Sequence, residues 1–84
     1  MHLGDHGSAA MSEPPLRVLG DRLRTARVEV ARLRHDRAAA ADMSVARERL
    51  LDALDAYVRG LERLGLPIPR TMRAEQRLYR KLYD

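Results

Sequence analysis

Leu16, Leu19, Leu23, Ala26, Val30 and Leu33 succeed one another at alternating steps of three and four. That spacing lays them along one narrow stripe of a helix, a heptad seam. Leu51, Leu54, Val58 and Leu61 keep the same phase further along. There Leu50, Tyr57 and Leu64 stand beside the seam and widen it into a face that suits contact with two neighbours. Ala, Leu, Arg and Glu dominate throughout, and no run alternates with period two. The pattern predicts an all-α chain.

Punctuation divides the helices. Ser12 ahead of Glu13, Pro14 and Pro15 marks a start, a cap and then prolines that a first turn tolerates. Gly65 and the "GLPIP" of 65–69 break the chain, and Thr71 can cap the last helix. The expected helices are 14–41, 44–64 and 71–83, in a single domain over 13–84 behind a flexible leader, 1–12. The middle admits two readings. One is a continuous helix of almost fifty residues, dimerising in parallel. The other is two helices joined at "AADMS", with Asp42 or Ser44 as the second N-cap. Charge favours the second. With Leu16 as position a, the e row carries Gly20, Arg27 and Arg34 in the first half and Glu48, Asp55 and Glu62 in the second. A chain that folds back sets Arg34 near Glu48 and Arg27 near Asp55, which selects orientation even though each pair contributes little. The expected fold is an antiparallel helical hairpin, coiled-coil-like, plus a short C-terminal helix.

A chain of 84 residues has room for one domain and, at this size, buries only about 60% of its unfolded surface. Cysteine, Trp and Phe are absent and Tyr occurs three times, so the core is aliphatic and thin. Disulfides and thiolate metal sites are excluded. Such a scaffold usually needs a second chain. The expected core and oligomer seam is Leu50, Leu51, Leu54, Tyr57, Val58, Leu61 and Leu64. The formal net charge of +4 is uneven: residues 16–41 and 66–84 are basic, whereas 1–15 and 42–65 are acidic. All basic residues but Lys81 are Arg, which is weak evidence for a nucleic-acid partner. No run is long and apolar enough for a membrane span, and the first residues lack the pattern of a secretory signal, so a cytoplasmic protein is expected.

Chemistry finds little purchase. His2 and His6 share a helical spacing, but Gly4 and Gly7 argue against a helix there. His35 falls opposite the seam. Glu48, Asp52, Asp55 and Glu62 read as a salt-bridging face, since none has a His three residues on. No nucleophilic triad or phosphate loop is present, so no enzyme, cofactor or metal site is expected. The segment "PRTMRAEQRLYRKLYD" is the strongest functional candidate. Arg70, Arg73, Arg77, Arg80 and Lys81 make a basic stripe interleaved with Tyr79 and Tyr83, the combination that phosphate contact and base stacking use. Leu78 and Leu82 are expected to hold this helix on the hairpin, leaving Arg73, Arg77 and Arg80 in water. The expected function is a small interaction module, an adaptor or regulatory subunit, with a second copy or a larger protein as partner. A DNA- or RNA-binding regulator using the C-terminal helix is the alternative.

Overall fold

The structure is a computed structural model, and it describes residues 14–82. It contains three helices: α1 (Leu16–His35), α2 (Ala40–Arg63) and α3 (Arg70–Lys81). The first two pack closely as a hairpin, and α3 lies against α2. The expected leader and Ser12 lie outside the described residues. One continuous helix through the middle is excluded, because four residues separate α1 from α2.

None of the three helices begins with a side-chain cap. Pro15, Ala39 and Pro69 hold the N-cap position instead, each with an extended ψ of 138–152°. The Pro15 carbonyl accepts from the Val18 and Leu19 amides, and the Pro69 carbonyl from those of Met72 and Arg73. Proline suits this place, since it lacks an N–H that would need a partner and its φ is already set. The first and last helices therefore start after prolines, and Thr71, expected as a cap, sits inside α3. Asp42 and Ser44 likewise fall within α2, where Asp42 occupies the first turn and its charge complements the helix N-terminus.

The ends of α1 and α2 share one plan. At the end of α2, Gly65 has φ +69°, the Leu66 amide donates to the Leu61 carbonyl (2.9 Å) and the Gly65 amide to that of Glu62 (3.1 Å). At the end of α1 the same two bonds run from Ala38 to Leu33 (3.0 Å) and from Arg37 to Arg34 (3.3 Å). Both are Schellman motifs, whose left-handed position suits glycine. In α1 that position is Arg37, at φ +54°. An L side chain there costs roughly 1–2 kcal/mol. α1 thus ends short of the expected residue 41, at a left-handed turn that arginine does not signal.

The core lies between α1 and α2. Leu54 is 0% exposed, and Leu23, Val30, Ala46 and Leu50 enclose it. Leu19, Val58 and Leu61 are also buried, Gly60 lets Leu16 and Leu19 approach the α2 backbone, and Leu51 and Tyr57 are half-buried. Leu64, expected in the seam, is 61% exposed, because it lies just past α2 as its C-cap residue. The e-row pairs do not form. Arg27 turns to Glu75 of α3 (Nε–Oε2 3.1 Å), Asp55 is held by α3, and Arg34 makes no ion pair with Glu48.

Arg37→Gly should raise stability by about 1 kcal/mol, since it removes the left-handed penalty at an exposed site. Gly65→Ala should lower it by a similar amount. Urea denaturation of each variant reads the sign. Leu54→Ala should cost about 2–5 kcal/mol in the same experiment.

Candidate interaction surfaces

α3 presents to the hairpin a face different from the one its leucines suggest. Met72 and Tyr79 pack on the core, and Gln76 between them is buried at 9% exposure. Leu78 and Leu82 point outward, 57% and 52% exposed. The polarity of α2 explains the rotation. The side of α2 beneath α3 carries Asp55 and Glu62, and a leucine laid over these carboxylates would take them from water with no donor in return. Gln76 Nε2 donates to Asp55 Oδ1 at 2.8 Å, and Arg80 Nη2 donates to the same oxygen at 2.7 Å. Arg73 donates to Gln76 Oε1 (3.3 Å) and to Glu62 Oε2 (3.2 Å). On the α1 side, Arg27 reaches Glu75 with both Nε and Nη2. Each exposed ion pair contributes only a few tenths of a kcal/mol. The bonds of the half-buried Asp55 weigh more, because losing them strands its charge.

The basic stripe is thereby divided. Arg73 and Arg80 are exposed, as expected, but each is bonded to a carboxylate of α2. Arg70, Arg77 and Lys81, beside Leu78 and Leu82, are exposed and make no ion pair among the described residues. Tyr79 faces the core, where it is half-buried, and Tyr83 lies outside the described residues. The structure thus separates residues that the sequence grouped as one surface.

A second surface lies between α1 and α2. A groove of about 720 Å³ runs along the hairpin, and no residue of α3 lines it. Its floor is mainly small: Ala26, Ala46, Ala53 and Ala56, with Val18 and Leu19 at one end. Its rim is charged: Asp21, Arg22 and Glu29 on α1, Arg49 and Asp52 on α2. Arg32 Nη2 donates to Glu29 at 2.7 Å, and this bond holds the carboxyl below the usual carboxylate range. Arg49, across the groove, pulls in the same direction. The signal in the sequence is the row Ala46, Ala53 and Ala56, small residues that share one face of a helix with Arg49. Seam counting passes over it because alanine scores as filler.

Among the described residues no cluster of His, Cys, Asp and Glu could hold a metal ion, His35 is exposed, and no helix is long and apolar enough to cross a membrane. His2 and His6 lie outside the described residues. Comparison with family models, curated proteins and solved structures finds no match to this chain.

Leu78→Ala and Leu82→Ala should each change stability by less than about 0.5 kcal/mol, as exposed substitutions do. Gln76→Ala should cost about 1–3 kcal/mol, because it withdraws a buried donor from Asp55. Amide exchange along α3 should report the difference: protection falls in the glutamine variant and holds in the leucine variants.

Proposed function

We propose that this chain is a small, non-enzymatic, cytoplasmic interaction module that works by receiving a helix of another chain in the α1–α2 groove. The observation that carries this reading is the groove itself. Alanines floor it, so a helix can approach closely, and charged side chains rim it, which gives an interface its register. A folded chain with so thin a core gains most by burying such a surface in a complex. The division of the basic stripe weighs against the nucleic-acid alternative. Two of its arginines already neutralise carboxylates of this chain, leaving Arg70, Arg77 and Lys81 for phosphate.

The absence of cysteine makes the test direct. Single Ala56→Cys and Leu78→Cys variants can each carry a photo-cross-linker, one in the groove and one on α3. Adducts with protein from the groove position, absent from the α3 position, are the expected outcome. Binding to mixed-sequence duplex DNA and to single-stranded RNA, measured against salt, checks the alternative. Nucleic-acid affinity should stay at background. A steep salt dependence that flattens by about one unit for each of Arg70, Arg77 and Lys81 replaced by Ala would put the nucleic-acid reading in its place.

A further inference from the structure

We infer that the occupant of the groove is a second copy of this chain, related by a two-fold axis that crosses the hairpin at right angles to its helices. This rests on the interaction-module reading above and names its partner. The order of charges on the rim carries the inference. Arg22, Arg49 and Asp52 make no ion pair among the described residues, although each stands beside an apolar groove. Glu29 is bonded to Arg32 but keeps lone pairs for a second donor. The lining carries two arginines against three carboxylates, of which Asp21 is bonded to Arg24, so it offers only a weak field to a strongly acidic or basic partner. Its order is what recognises a copy of itself.

The levels along the hairpin make this concrete. Gly60 of α2 lies against Leu16 and Leu19 of α1, and Gly20 lies beside Tyr57. In that antiparallel register Thr25 and Ala26 stand level with the stretch from Leu50 to Asp52. The midpoint between Arg22 and Glu29 falls between Thr25 and Ala26. The midpoint between Arg49 and Asp52 falls between Leu50 and Leu51. Both charge pairs are therefore centred at one level, to within the rise of a single residue, roughly 1.5 Å. Each pair has opposite signs on its two sides. Rotation by half a turn about an axis at that level lays α1 on the second α1 and α2 on the second α2, both antiparallel. Arg22 then meets Glu29 of the other copy, and Arg49 meets Asp52, each of them twice. The interface is isologous, as a two-fold contact must be. With alanines at its centre, the two hairpins can close to the roughly 8–10 Å that packed helices require, giving a four-helix bundle. α3 contributes nothing to the groove lining and stays clear of the contact.

The test is sedimentation of charge-reversal variants, alone and mixed. The unmodified chain should dimerise at micromolar concentration. Arg22→Glu and Glu29→Arg should each raise the self-dissociation constant by about tenfold or more, since like charges then face each other at two places. An equimolar mixture of the two should regain the original affinity as a heterodimer, because every new charge meets its opposite. Arg49→Asp and Asp52→Arg give the same test on α2, and far-UV circular dichroism confirms that each variant is folded. A monomer at hundred-micromolar concentration overturns the inference, as does a dimer indifferent to these reversals. Loss of the dimer without recovery on mixing overturns the arrangement too, because an axis parallel to the helices would pair Arg22 with Asp52 instead. In all three cases, protein adducts other than self at Ala56→Cys would leave the broader reading standing.

Discussion

Leu54 is completely enclosed between α1 and α2, and the rest of the chain is arranged around the contact it makes. Large apolar side chains are scarce here. Without Phe or Trp, the enclosure falls to Leu23, Val30, Leu50 and a few alanines. A seam this narrow fixes the hairpin's register but leaves both of its flanks to be finished by other means. One flank is covered by α3. The other is the alanine groove.

The covered flank is closed by polar chemistry. Asp55 and Glu62 stand where a larger protein would place a second apolar stripe, so α3 meets them with Gln76, Arg80 and Arg73. Met72 and Tyr79 supply what apolar contact there is. Desolvation decides the outcome. Two exposed leucines forgo a modest burial gain, whereas a half-buried carboxylate without donors costs more than that gain returns. The outer surface of α3 results from this choice, with leucines beside arginines that have no carboxylate to meet.

The seam and the chain breaks are legible in the sequence because they depend on local periodicity and on Gly and Pro. Leu19, Leu23, Leu50 and Leu54 fall where their spacing puts them, and the break at 65–69 is a real one. The facing of α3 is not legible in the same way. Met72 with Tyr79 and Leu78 with Leu82 are two competing stripes on one helix, and only the polarity of α2 chooses between them. The hairpin is real, yet the charge pairs that favour it in the sequence do not form. Arg27 and Asp55 both turn to a third helix whose position the heptad count does not contain. Arg37 shows another limit, since tertiary closure imposes a backbone conformation that its residue type would not select.

The attachment of α3 has a kinetic side. Its contacts are exposed ion pairs, one small polar cluster and the packing of Met72 and Tyr79, so the free energy that holds it down is a small part of the molecule's total. The connection to α2 is only residues 65–69, stiffened by Pro67 and Pro69. A released α3 therefore stays within a local concentration on the order of millimolar and returns to the same place. With α3 released, Asp55 and Glu62 would lose the donors that α3 supplies, and this side of α2 would turn acidic without any rearrangement of the α1–α2 seam.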